Sequence, residues 1–167
     1  MVLGMSLHSF TLLHVIITLV ELFAGAVVVL KMIGRSRSRL NGLFLMTGAL
    51  TTLTGFLFPY HGPTPAITLG FITLPILLLA AVSWYTGRLR GAWRVIYVIS
   101  ALLLLYFDAF VAVAQAFMKI PALHALAPEG KEPPFQVAQG LVLLLFLVLG
   151  YMALKRFRPA ALVNARV

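Results

Sequence analysis

Cysteine is absent from this chain of 167 residues, and only four of its residues are Asp or Glu. Without cysteine, the chain forms no disulfide and offers no thiolate as a metal ligand or nucleophile. Charged residues make up 10% of the chain, against about 25% in soluble domains. A soluble globule of this length would lack the polar residues that cover its surface, so the composition predicts a membrane protein.

Catalytic signatures are also missing. The sequence contains no Gly-rich phosphate loop, no HExxH motif and no nucleophile elbow, so an enzyme is the less favoured class. The net charge of +9 raises the question of nucleic acid. However, the basic residues are confined to short segments beside apolar runs, which is a pattern of membrane topology, so no nucleic-acid partner is expected.

Long apolar runs dominate what is present, and 62% of the residues are hydrophobic. A helix needs about 20 apolar residues to cross the hydrocarbon core of a bilayer. The sequence therefore predicts an all-α fold, with one transmembrane domain over 1–167 built as a five-helix bundle. The predicted spans are about 10–30, 40–58, 66–84, 95–117 and 137–154, and an outer loop covers 118–136.

The cations predict the orientation of this bundle. Eleven of the thirteen fall in connections on one side: Lys31, Arg35, Arg37, Arg39, Arg88, Arg90, Arg94, Lys155, Arg156, Arg158 and Arg166. Only Lys119 and Lys131 fall on the other side. Because cytoplasmic loops of membrane proteins are enriched in Lys and Arg, we expect the N-terminus outside and the C-terminus in the cytoplasm.

Two of the four acids, Glu21 and Asp108, lie inside the first and fourth predicted spans. Ionisable residues inside a membrane are costly, and they indicate a functional site by default. At 1.5 Å per residue, Glu21 lies about 16 Å and Asp108 about 14 Å below the outer ends of their spans. Both acids are therefore expected near the membrane midplane.

Each acid belongs to a polar stripe. His14, Thr18 and Glu21 share one helix face, and Asp108 and Gln115, seven residues apart, share another. These five residues predict a protonatable or cation-binding site, used for proton- or cation-linked transport or channel activity by a homo-oligomer. Two alternatives remain open. The acids are neutral helix contacts that hydrogen-bond Thr or Tyr hydroxyls, or they dock partner helices in an accessory or assembly subunit of a larger membrane complex.

Small residues in the second predicted span suggest a helix-packing face. Gly48, Thr52 and Gly55 lie on one side of this helix, where small side chains let a neighbouring backbone approach closely. The same span also carries Thr47, Thr51 and Thr54.

The histidines give a third functional hypothesis. His14, His61 and His124 all fall in the outer half of the predicted bundle, and imidazole ligates zinc, copper and haem iron. A redox protein holding a haem, a quinone or a metal is therefore an alternative function. The three histidines lie on different segments without a ligand-spacing motif, so the sequence leaves any cofactor unknown.

Three segments resemble small multi-pass inner-membrane proteins of bacteria. They are KIPALHALAPEGKEPPFQVAQG (Lys119–Gly140), FPYHGPTPAI (Phe58–Ile67) and GAWRVIYV (Gly91–Val98). The resemblance implies a setting, the bacterial cytoplasmic membrane. It implies no activity, cofactor or catalytic residue.

Overall fold

The computed structural model describes residues 1–59 and 65–159 of the chain. Within these ranges the regular structure is helical, apart from one isolated β-bridge between Val2 and Met5. The helices are α1 (Leu7–Ile33), α2 (Asn41–Phe56), α3 (Pro65–Tyr85), α4 (Ala92–Lys119), α5 (Pro121–His124) and α6 (Pro133–Arg156).

Four helices in the described ranges are long and apolar enough to cross a membrane: α1, α3 over Ile67–Tyr85, α4 and α6. The predicted all-helical membrane architecture is confirmed in this form, and the chain has the character of a multi-pass membrane protein. Helix α2 has 16 residues, which gives a length of about 24 Å, shorter than a hydrocarbon core of about 30 Å. The count of five spans and the orientation of the termini therefore remain predictions.

Helices α1, α3 and α6 end on the side of the bundle where α2 and α4 begin, so the basic connections meet at one end. This basic end comprises segments 31–39, 85–94 and 155–158. There the Arg37 guanidinium lies 5.5 Å from the centre of the Trp84 ring, which joins the α1–α2 connection to the end of α3. Arg94, at the start of α4, donates hydrogen bonds to the carbonyl oxygens of Leu154 and Phe157 at 2.8 and 2.9 Å.

Aromatic pairs close the opposite end of the bundle. Phe10 of α1 packs against Phe58, just beyond α2, with ring centroids 4.9 Å apart. Phe117 of α4 meets Phe135 of α6 edge to face at 5.4 Å. Phe58, two residues beyond the end of α2, therefore lies beside Phe10 near the start of α1.

The core is organised around α4, which packs against α1, α3, α5 and α6. Its buried residues recur every three or four positions, the spacing of one helix face: Tyr97, Val98, Ser100, Ala101, Leu102, Leu104 and Leu105. They pack against buried side chains of α1 and α2, including Val28, Met32 and Phe44. The same face of α4 carries Asp108 one turn beyond Leu104 and Leu105, which positions this acid at the edge of the apolar core.

Candidate functional site

The carboxyl groups of Glu21 and Asp108 lie side by side between α1 and α4. They are within hydrogen-bonding contact of each other, and the Thr51 side chain on α2 also contacts Glu21. Glu21 is only 2% exposed, whereas Asp108 is half-buried with its Oδ2 shielded from solvent. The sequence predicted equal depth for the two acids, and the structure brings them into contact.

The buried oxygens of this pair need a shared proton or a bound cation. Glu21 Oε2 and Asp108 Oδ2 have no hydrogen-bond donor within the described residues. An ionised carboxylate only accepts hydrogen bonds, so two ionised carboxylates in contact repel each other. The pair is satisfied when it shares a proton or when a cation lies between the oxygens.

Gly48 of α2 makes the space for the Glu21 carboxylate. A Cβ atom at Gly48 would lie 2.7 Å from Glu21 Oε1, which is closer than real contacts allow. The same Cβ would lie 3.5 Å from Leu77 Cδ1 of α3. The sequence predicted Gly48 as a helix-packing position, and in the structure this glycine admits the acid itself.

Polar side chains continue from the acids toward the end of the bundle opposite the basic end. Thr18 of α1 donates to the His14 carbonyl at 2.9 Å and also approaches the Thr51 hydroxyl at 3.5 Å. One turn further, His14 Nδ1 and Thr54 Oγ1 share a hydrogen bond of 2.8 Å. We call this series the polar track; it consists of His14, Thr18, Glu21, Thr51, Thr54 and Asp108.

The hydrogen bonds around Thr54 bear on the tautomer of His14. The Thr54 hydroxyl donates to the Leu50 carbonyl at 2.6 Å. With that hydrogen used, Thr54 Oγ1 accepts from His14 Nδ1 in the tautomer that carries the ring hydrogen there, and Nε2 is then the acceptor of the ring.

Toward the basic end the acids are closed off by apolar side chains. Gly25 lies one turn from Glu21 on α1, and a Cβ atom there would lie 2.7 Å from both Leu105 Cδ1 and Phe44 Cε2. Phe44 is 1% exposed and Leu105 is 4% exposed. We call Gly25, Phe44 and Leu105 the apolar plug. It occupies the layer directly next to the layer of Glu21, Gly48 and Asp108.

A second polar cluster lies beyond the plug. The Tyr97 hydroxyl of α4 donates to Asn41 Oδ1 at the start of α2. Asn41 Nδ2 and Ser83 Oγ are buried without a partner within the described ranges. The Tyr97 ring also packs against Trp84, with centroids 5.1 Å apart. Buried polar groups thus occur on both sides of the plug, separated by apolar packing.

Three further sequence-predicted residues, Gln115, Thr52 and Gly55, are not members of the polar track. Gln115 is exposed on α4, seven residues from Asp108, and its place in the polar site stays a prediction. Thr52 is half-buried, and Gly55 packs beside His14, whose Cε1 would lie 3.9 Å from an added Cβ atom.

Sequence reasoning missed the roles of Thr51, Thr54 and Gln139. Gln139 of α6 donates to the Phe110 carbonyl at 3.0 Å, and its own Oε1 is buried without a donor among the described residues. Thr51 lies three residues after Gly48 and four before Gly55, and Thr54 follows three residues later, so this spacing could have indicated a polar stripe beside the glycine face of α2.

The histidines do not form a cluster in the described part of the chain. His61 lies outside the described residues. His124 is exposed at the end of α5, whereas His14 bonds Thr54 and packs edge to face against Phe58 at 5.3 Å. Across residues 1–59 and 65–159, no three His, Cys, Asp or Glu side chains are arranged to hold a metal ion. None of the contacts of the described histidines supports the haem, quinone or metal hypothesis.

Comparison of the chain with protein-family models, with curated proteins and with solved structures found no match. The function is therefore argued from the geometry of the site.

Proposed function

We propose that the chain is a small membrane transport protein in which Glu21 and Asp108 together bind a proton or a cation near the middle of the membrane. The observation that carries this proposal is the contact between the two carboxyl groups, with one buried oxygen of each left without a donor in the described residues. Acids inside membranes are characteristic of proton relays and ion pathways.

The position of the pair suits this function. Glu21 lies twelve residues from the end of α1 at Ile33, and Asp108 lies eleven residues from the end of α4 at Lys119. At 1.5 Å per residue, each acid is about 17 Å from one end of its helix, close to half of a bilayer. Because the two helices run in opposite directions, a bound proton or cation would be far from both surfaces.

The polar track and the apolar plug supply an asymmetric route. His14, Thr18, Thr51 and Thr54 provide hydroxyl and imidazole groups that exchange protons or coordinate a cation on one side of the acids. The plug closes the other side with the Phe44 ring and the Leu105 side chain. The arrangement supports a state in which the site is reached from the His14 side only.

We further propose that α2 is a fifth membrane span, so that the N-terminus is outside and the C-terminus is cytoplasmic. Support comes from the contacts of Asn41 with Tyr97 at the basic end and of Phe58 with Phe10 at the other end. Ten of the twelve cations within the described residues belong to the basic end. By the positive-inside rule this end faces the cytoplasm, and the setting implied by the resemblance is the bacterial cytoplasmic membrane.

Assembly as a homo-oligomer is part of the proposal. The track lies between α1, α2 and α4 of one chain, and the plug leaves no continuous polar path through them. Helix α6 buries only Gln139 and Ala153 within the chain, so most of its surface is free to face lipid or a second copy.

Flux through proteoliposomes tests the proposal. Wild-type protein should carry protons, or alkali cations, down an imposed gradient faster than protein-free liposomes do. Asp108→Asn and Glu21→Gln should each abolish this flux, because an amide neither binds nor releases a proton. A pH-sensitive dye measures proton flux, and a cation-sensitive dye measures alkali-cation flux.

Gln115→Ala is the matched control on α4, since this exposed residue lies seven positions from Asp108. This variant should leave the flux unchanged. A loss of flux would mean that Gln115 belongs to the transport path, as the sequence predicts. Flux in Asp108→Asn equal to that of the wild type would overturn the proposed function. A protein that carries nothing but is isolated with a stable partner would favour the accessory-subunit alternative.

A further inference from the structure

An open apolar groove runs along the bundle between α2 and α3. It has a volume of about 620 Å³, and Tyr85 is the one residue of its lining with a polar side chain. Small residues form its floor, with Gly42 and Ala49 on α2 and Ala81 on α3. Leu77 also lines it and separates the groove from Gly48 and the Glu21 carboxylate.

The length of the groove matches one leaflet of a bilayer. Along α3 its lining extends from Leu74 to Tyr85, which corresponds to about 16 Å at 1.5 Å per residue. The hydrocarbon core is about 30 Å thick, so the groove reaches from one surface to about the midplane. Its upper end, near the midplane, lies at Leu74 and Pro75 inside α3. Its lower end, near the membrane surface, lies at Gly42 and Tyr85.

The lower end of the groove opens at the basic end. The α1–α2 connection, with Arg37 and Arg39, leads directly to Gly42, and the α3–α4 connection, with Arg88 and Arg90, directly follows Tyr85. All four arginines are exposed.

No acid accompanies these arginines in sequence, since neither connection contains Asp or Glu. The four acids of the chain are Glu21, Asp108, Glu129 and Glu132, which lie within α1 and α4 or between α5 and α6. The positive charge at the mouth of the groove is therefore left to be neutralised by an anion from outside the chain.

Two features hold this cationic mouth in place. The Arg37 guanidinium lies over the Trp84 ring, and the Tyr85 hydroxyl would lie 3.8 Å from a Cβ atom at Gly42. In addition, Arg35, Arg88 and Leu89 adopt left-handed backbone conformations, with φ of 61°, 48° and 58°. Glycine adopts such conformations without steric cost, so the backbone is strained at these three positions.

We propose that the groove binds one acyl chain of an anionic phospholipid, whose phosphate is held by the arginines of the two connections. The apolar lining accepts the chain, and the Tyr85 hydroxyl at the mouth can donate to a phosphate oxygen. Arginine binds phosphate through paired hydrogen bonds, and basic residues beside a membrane attract anionic lipids. This lipid site is separate from the Glu21–Asp108 site and does not depend on the transport proposal.

Lipid retention measures the binding of an anionic phospholipid to the groove directly. Full-length protein is reconstituted with equal amounts of phosphatidylglycerol and phosphatidylcholine that carry identical acyl chains, then repurified in mild detergent. Native mass spectrometry counts the lipids that stay bound. We expect phosphatidylglycerol to be retained in preference, with one molecule per chain.

Two kinds of variant address the two halves of the site. Ala49→Phe fills the groove, and the double variant Arg37→Gln/Arg88→Gln removes charge from its mouth; each should lose the retained phosphatidylglycerol. Lys155→Gln is the control, since it removes a cation from the basic end without touching the groove. It should retain lipid as the wild type does.

Several outcomes would overturn the proposal. Equal retention of both lipids, or full retention by the Ala49→Phe variant, would show that the groove does not select an anionic lipid. Displacement of the lipid by inorganic phosphate alone would assign the affinity to the arginines without the groove. A dimer that Ala49→Phe dissociates would make a second copy of this chain the occupant.

Discussion

Glu21 and Gly48 face each other across α1 and α2 in the same register as His14 and Gly55. His14 and Glu21 are seven residues apart on α1, and Gly48 and Gly55 are seven residues apart on α2. Because the two helices run in opposite directions, a glycine of α2 lies opposite each of the two polar residues of α1. The two glycines differ in closeness, however. An added Cβ atom would lie 2.7 Å from Glu21 Oε1 at Gly48 and 3.9 Å from His14 Cε1 at Gly55.

Gly48→Ala should therefore disturb the acid pair, whereas Gly55→Ala should not. The methyl group at Gly48 displaces the Glu21 carboxylate from its place beside Asp108, and the melting temperature in detergent should fall. At Gly55 the methyl group makes an ordinary contact, and alanine favours a helix over glycine by about 1 kcal/mol. Equal melting temperatures for the two variants would contradict the close contact at Gly48.

The apolar plug can be tested through a rescue. Gly25→Ala forces a methyl group against Leu105 and Phe44, and overpacking of this kind costs about 1–3 kcal/mol in free energy of unfolding. Leu105→Ala alone also destabilises, because it leaves a cavity. In the double variant the new methyl group enters the space left by Leu105, so the combined loss should be smaller than the sum of the two single losses. Additive losses, measured by reversible unfolding in mixed micelles, would mean that the two residues do not share the plug.

Arg94 should contribute more to stability than its neighbour Arg90. Its guanidinium donates to two carbonyl oxygens at the end of α6, and hydrogen bonds from a charged group contribute about 1.5–3 kcal/mol. Arg94→Gln should lower the free energy of unfolding and increase amide exchange in the last turn of α6. Arg90→Gln, which removes an exposed cation from the same connection, is the control. If both variants exchange alike, the contact is not stabilising.

The hydrogen bonds of Glu132 predict that the stability of the segment before α6 depends on pH. Its carboxylate accepts hydrogen bonds from the Glu129 and Lys131 amides at 2.9 Å each, and these backbone donors, Glu129 first, lower its pKa from the ordinary value. Because this pKa is lowered in the folded protein, the ionised Glu132 carboxylate contributes fully to stability above the ordinary glutamate pKa of about 4.3. The contribution is lost as the pH falls through the lowered pKa of the folded protein.

The two amide proton signals should therefore move together in a pH titration followed by NMR, with a midpoint below the ordinary range. Glu132→Gln should remove this transition, and Glu129→Gln, which keeps the amide in place, should preserve it. An ordinary midpoint in the wild type would show that the hydrogen bonds are not formed in solution.

Much of the helical architecture could be predicted from hydropathy alone. The predicted spans 10–30 and 95–117 lie inside α1 (Leu7–Ile33) and α4 (Ala92–Lys119), which continue two or three residues beyond the apolar runs at each end. Ser6 caps the start of α1 by accepting a hydrogen bond from the Ser9 amide, whereas no side chain caps the start of α4. Helix α2 instead ends at Phe56, before the predicted limit of 58.

The polar stripe of α1 illustrates what the sequence by itself determined. The spacing of His14, Thr18 and Glu21 sets them on one face, and the apolar run sets their depth, because both properties depend only on a single regular helix. What the neighbouring helices present to this face was decided by the tertiary structure alone. The rotation of α2 and α4 brought Thr51, Gly48 and Asp108 to Glu21, whereas Gln115, on the same face of α4, is exposed. Helix rotation depends on side-chain packing over the whole bundle, which hydropathy and spacing do not encode.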